Sequence, residues 1–96
     1  MKHMQELITV LKQARTFLAL ESNDFSWSPW KDQNHAISEI NSIITKLEKG
    51  SIPDMRVLFA PTGPIQEVSL SSGWGNKFME LAERFDQEYE IVKNLS

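Results

Sequence analysis

The chain contains no cysteine. That excludes disulfides, thiolate metal sites, iron–sulfur clusters and a cysteine nucleophile, and it fits a reducing, cytoplasmic setting. Long apolar runs are missing as well. The stretch from Met4 to Leu20 is broken by Gln5, Glu6, Lys12, Gln13 and Arg15, and a bilayer span needs roughly 18 consecutive apolar residues. Glycine and proline number only four each, so the composition is neither fibrous nor linker-like. Basic residues are also scarce: ten Lys and Arg stand against thirteen Asp and Glu, for a formal net charge of −3. Affinity for DNA or RNA comes from neutralising phosphates, so neither a nucleic acid nor an anionic membrane is the expected partner.

What remains is an ordinary globular composition, 41% hydrophobic and 24% charged over 96 residues. A chain of this size makes one domain and buries on the order of 65% of the surface it exposes when unfolded. Met4, Leu7, Ile8, Leu11, Ala14 and Leu18 recur at helical spacing and predict a first helix from about Gln5 to Leu20. The three residues ahead of Met4 are given no structural role. A second helix, from about Asp32 to Lys49, is marked by Ala36, Ile37, Ile40, Ile43, Ile44 and Leu47, with Gly50 placed to end it. The last helix runs from about Asn76 to Asn94 and carries Phe78, Leu81, Ala82, Phe85, Tyr89 and Val92 on one side.

Between the second and last helices the pattern changes. Met55 to Ala60 is a short apolar run with β-branched and aromatic content, bounded by prolines, and reads as a strand. Pro61-Thr62-Gly63-Pro64 supplies turn chemistry. Beyond it, Gln66, Val68 and Leu70 alternate with Ile65, Glu67 and Ser69, the period of a half-buried antiparallel strand. The predicted fold is therefore α+β, three helices packed on a small antiparallel β-hairpin in the order α-α-β-β-α. An exposed hairpin edge would favour a homodimer.

Several constellations invite a chemical reading. Ser71-Ser72-Gly73-Trp74-Gly75-Asn76-Lys77 precedes a helix, as phosphate loops do. Yet the third glycine of G-x-G-x-x-G is replaced by Phe78, which also takes the place of the Ser or Thr that follows Lys in a Walker loop. A corner explains the same residues: Gly73 and Gly75 for the turn, Trp74 as an apolar plug, Asn76 as helix cap. Only His3 and His35 join the carboxylates as metal-ligand candidates, in no paired spacing, and His35 reads as a solvated or locally bonded residue. The G-x-S-x-G elbow of serine hydrolases is absent. No catalytic residue, metal or cofactor is expected.

Two surfaces stand out for binding. The loop from Asp24 to Trp30 is unusually aromatic, and Trp27 and Trp30, with Trp74 elsewhere, would form either a recognition patch or a lid on a small core. Glu80, Glu83 and Glu90, with Asp86 alongside, make an acidic ridge on the last helix, either a solvated face or a surface that steers a basic protein partner.

The segment from Leu58 to Gly75, continuing through Leu81-Ala82-Glu83-Arg84-Phe85-Asp86, resembles a family of small bacterial proteins without assigned activity. The resemblance covers about the C-terminal third, and it implies a bacterial cytoplasmic α+β domain and no catalytic residue. The function expected from all this is a small acidic, non-enzymatic binding or inhibitory module of immunity type, acting through protein–protein contacts at Trp27, Trp30, Trp74, Glu80, Glu83 and Glu90. The alternative is a regulatory domain that binds a small ligand or nucleotide at Gly73–Lys77.

Overall fold

The computed structural model describes residues 2–26, 28–55, 58–60 and 63–95, with the side chains of Lys2 and Leu95 left aside. Four helices form: α1 (Lys2–Leu18), α2 (Gln33–Glu48), α3 (Pro64–Ser72) and α4 (Gly75–Leu95). Three of them match the periodic segments of the sequence. The fourth replaces the expected hairpin, so the fold is all-helical among the described residues, not α+β.

The second expected strand fails because its apolar positions obey a period of 3.6 rather than 2. Ile65, Val68 and Ser69 are the buried residues of α3, spaced i, i+3, i+4, whereas Leu70, which an alternating strand would place beside Val68, is 63% exposed. The boundary signals agree with a helix. Pro64 occupies the first turn, where its missing N–H costs nothing, and Gly73 closes the helix at φ +87°.

The first expected strand fails for another reason. Met55 has no regular structure, Leu58 and Phe59 lie in a turn, and Arg56 and Val57 fall outside the described residues, as do Pro61 and Thr62 of the expected hairpin turn. The run is apolar because helices enclose it: Met55, Leu58 and Phe59 are all buried. Turn bonds from Leu58 N–H to the Met55 carbonyl (3.1 Å) and from Gly63 N–H to the Ala60 carbonyl (2.9 Å) satisfy its backbone locally.

α1 buries Leu7, Ile8, Val10, Leu11, Ala14 and Leu18. At and just beyond its end, side chains reach backbone carbonyls, some of which turn bonds also engage. Asn23 Nδ2 donates to the Phe17 carbonyl (2.7 Å), and Gln33 Nε2 donates to those of Leu18 and Leu20 (3.1 Å each). α2 starts where Asp32 accepts the His35 N–H (2.9 Å), a side-chain cap worth ~1 kcal/mol. It ends at Gly50, φ +86°, with Gly50 N–H bonded to the Leu47 carbonyl and Ser51 N–H to that of Lys46.

α1 packs against both α2 and α4, and α3 packs on α4. The pairs His3–Glu88, Gln13–Arg84 and Phe17–Trp74 show that α1 and α4 run antiparallel. His3 thus lies inside α1 and bonds Glu88 at 2.7 Å, a tertiary contact where the sequence suggested no role. In the core, the Phe59 ring stacks on Phe85 (4.4 Å) and Phe78 (6.2 Å), and Phe85 on Tyr89 (5.1 Å). The Tyr89 hydroxyl accepts the Met55 N–H at 3.2 Å, tying the irregular segment to α4.

Candidate functional site

α4 carries two kinds of surface beyond its core stripe. Phe78, Leu81, Phe85, Tyr89 and Val92 face inward and are buried. The positions Met79, Glu83, Asp86 and Glu90, spaced four, three and four apart, share an exposed stripe, and Glu80 stands next to it. Grooves open on either side of this helix.

On the α1 side, a groove of about 560 Å³ is lined by Gln13, Phe17, Lys77, Arg84 and Gln87, together with Glu80, Leu81 and Glu83. Arg84 Nη1 donates to Gln13 Oε1 at 2.6 Å across it, so both charge signs and neutral amides line this side.

On the α3 side, a groove of about 520 Å³ is lined by Phe59, Phe78, Met79 and Ala82, with Gln66, Glu80, Glu83 and Asp86 around them. None of its described lining residues is basic. Met79 is 62% exposed, which places a large apolar side chain in water at the mouth of the groove. Leu70 packs beside the start of α4: its Cδ2 stands 3.3 Å from where a Cβ on Gly75 would be. Leu70 and Met79 are the two most exposed large apolar side chains of the described structure. A scattered exposed apolar residue means little, but one that lines a groove with other apolar groups, as Met79 does, marks a contact site.

The charge of the chain is concentrated here. Residues 64–96 hold six acidic and three basic side chains, whereas residues 1–63 hold seven of each, so the net charge of −3 belongs entirely to the α3–α4 half. Lys77 Nζ lies 3.7 Å from Glu80 Oε2, but both side chains are well exposed and the pair is weak.

The residues singled out from the sequence separate into three groups. Trp27 lies outside the described residues. Trp30 and Trp74 are 3% and 7% exposed and serve the core. Trp30 lids the start of α2 with its indole N–H on Glu39 Oε2 (2.6 Å), while Trp74 stacks on Phe17 (5.1 Å) and donates to Asn23 Oδ1 (2.8 Å). Glu80, Glu83 and Glu90 are exposed on α4, and the first two meet Asp86 around the groove. Met79 and Ala82, which supply most of its accessible apolar surface over the buried Phe59 ring, were not anticipated as site residues, nor was Phe59. The usable signal was Met79, an apolar residue off the core stripe of an otherwise regular amphipathic helix.

The Gly73–Lys77 stretch is a helix–helix corner. Gly73 ends α3, the Trp74 N–H returns to the Ser69 carbonyl (3.0 Å), and the Trp74 carbonyl accepts the Phe78 N–H (3.0 Å) that opens α4. Trp74, rather than Asn76, thus occupies the capping position. The Asp24 N–H donates to Ser72 Oγ (2.8 Å), which fastens the α1–α2 loop to the same corner. His35 is exposed, and its Nδ1 accepts the Lys31 N–H at 3.0 Å. Among the described residues, no three His, Asp or Glu side chains gather as metal ligands, and no helix is long and apolar enough to cross a membrane.

No family model, no curated protein and no solved structure matches the chain. The site must therefore be read from its own geometry.

Proposed function

We propose that the protein is a non-enzymatic binding module that docks a basic protein partner on the α3–α4 groove. One observation carries this reading: an apolar groove, with Met79 exposed at its mouth, is bordered by Glu80, Glu83 and Asp86 and by no basic residue among those described. Apolar contact area supplies affinity, while one-signed charge around it raises the association rate and rejects acidic competitors. Glu90 continues the acidic stripe beyond the groove. The burial of Trp30 and Trp74 moves the expected contact surface from the aromatic loop to α4.

An inhibitory, immunity-type role is the form of this reading that best uses the charge, since an acidic face of this kind covers a basic functional surface on its target. The absence of cysteine supports a cytoplasmic setting. A homodimer had its rationale in a hairpin edge, and the described residues contain no strand. For nucleotide binding at Gly73–Lys77, the roles of Gly73 and Trp74 in joining α3 to α4, and the Leu70 side chain packed over Gly75, support the corner reading instead.

The test is affinity capture from the cells that make the protein, with wild type and a Glu80→Lys/Glu83→Lys/Asp86→Lys variant in parallel. A basic partner retained by wild type and lost by the variant is the expected result. Equal recovery by both, or no specific partner for either, would overturn the assignment to this groove.

A further inference from the structure

The shape of the acidic groove also bears on the partner's conformation. Every wall of it except the turn around Phe59 is helical, and the described residues contain no strand whose edge could pair with an extended peptide. Main-chain hydrogen bonding, the usual source of affinity for an extended segment, is thus not on offer, and side-chain contacts must suffice. The stripe from Met79 to Glu90 covers about 16 Å along α4 at 1.5 Å per residue. Its carboxylates at 83, 86 and 90 follow at steps of roughly 4.5 and 6 Å on the same rise. Cations at i, i+3 or i+4, and i+7 of a second helix have those same steps. Residues on one face of an extended chain recur only every ~6.6 Å or more.

The apolar and acidic parts are also ordered along the helix. Leu70 and Met79 lie at its amino-terminal end, and Asp86 and Glu90 lie toward its carboxyl end. From this arrangement we infer that the groove takes an amphipathic helix of the partner, its apolar anchors seated on Met79 and Ala82 and its Lys or Arg side chains opposite Glu83, Asp86 and Glu90. The inference rests on the reading of this groove as a protein-docking site and specifies what docks there. A second copy of the chain fits less well, because a two-fold contact through this face would set the same carboxylates against each other.

The probe is a synthetic Lys/Leu peptide of roughly 18 residues patterned at the helical period, long enough for marginal helicity in water. A peptide of identical composition serves as its pair, its prolines moved from the ends of the chain, where the helical version carries them, to interior positions that break the helix. Each is titrated into the full chain while backbone amide shifts are followed. The helical peptide is expected to move residues 66 and 78–90 saturably and to bind at least tenfold more tightly than the broken one. Glu83→Lys/Asp86→Lys should weaken it tenfold or more and Met79→Ser several-fold, whereas Glu21→Lys/Glu48→Lys, with the same change of net charge, should leave it unchanged. Equal affinity of both peptides at the same residues would overturn the helical partner while leaving the docking reading intact. Absence of groove shifts would also overturn it, and the capture comparison above then decides the docking reading by itself. Groove shifts that depend on protein concentration alone would assign the face to a second copy.

Discussion

Two grooves flank α4, share Glu80 and Glu83, and have nearly equal volumes, yet their chemistry differs. On the α1 side, Arg84 reaches across to Gln13, and Lys77 and Gln87 add a cation and a neutral amide to the wall. On the α3 side, carboxylates surround rings and a methionine, with no basic residue among those described. Size alone does not distinguish a binding surface from a seam between helices. What separates these two is the charge that lines them: both signs on the α1 side, and carboxylates with no described basic residue on the α3 side.

The largest expected effect comes from removing what the acidic groove is built on. Phe85 is buried and stacks on Phe59 at 4.4 Å, so Phe85→Ala should cost about 3–5 kcal/mol in urea unfolding and erase peptide binding with it. A loss below ~1 kcal/mol would mean that the aromatic stack does not support the groove. Next comes charge. Glu83→Lys/Asp86→Lys should leave stability within about 0.5 kcal/mol of wild type, because both side chains are exposed, while abolishing the difference between the grooves in binding. A substantial loss of stability would reveal a structural role for these carboxylates.

The corner that sets the start of α4 ranks third. No neighbour lies within 4 Å of a Cβ built on Gly73, but its φ of +87° strains any L residue, so Gly73→Ala should destabilise by roughly 1 kcal/mol through backbone conformation alone. Smaller still, Arg84→Ala should change stability by under ~1 kcal/mol and leave partner affinity unaltered, since Arg84 lies on the α1 side of α4 and its bond to Gln13 is exposed.

Asp24 offers the slightest effect. Bonds from the Ser26 hydroxyl, and then from its backbone N–H, hold the Asp24 carboxyl below the usual aspartate range. A depressed carboxylate contributes stability that is present at neutral pH and is lost as pH falls through its folded-state value, below the ordinary aspartate range. Asp24→Asn should therefore flatten the acid limb of the stability curve slightly. A change confined to neutral or alkaline pH would contradict this assignment.

The sequence disclosed the helices whose burial is one-sided. α1, α2 and α4 each carry enough turns for the 3.6 period to dominate, and Asp32 and Gly50 marked the ends of α2. α3 escaped because nine residues give little more than two turns, over which i, i+3, i+4 and strict alternation share several positions. Leu70 decided the misreading: counted as a core residue it completes a strand, and in the structure it faces water. Phe59 misled in a similar way, since burial of an irregular segment by surrounding helices leaves the same apolar run as a paired strand.

The site was legible in part. The acidic ridge follows from spacing on α4 alone, but its apolar counterpart requires knowing that the turn around Phe59 comes to lie beside Phe78 and Met79, a long-range contact that no local pattern encodes. Tryptophan pointed the other way. Residue type alone left Trp30 and Trp74 as either binding anchors or core-closing side chains; both are buried, with Glu39 and Asn23 accepting their N–H groups.

The most direct test sets the two grooves against each other in the cell. A photo-crosslinking amino acid is placed at Met79 in the acidic groove or at Gln87 in the opposite one, and the adducts are mapped by mass spectrometry. A discrete adduct is expected from position 79, attached to a Lys- or Arg-rich helical segment of one protein, and none of that protein from position 87. The same adduct from both positions, or one from position 87 alone, would contradict the claim that the acidic, apolar side of α4 is where this protein binds.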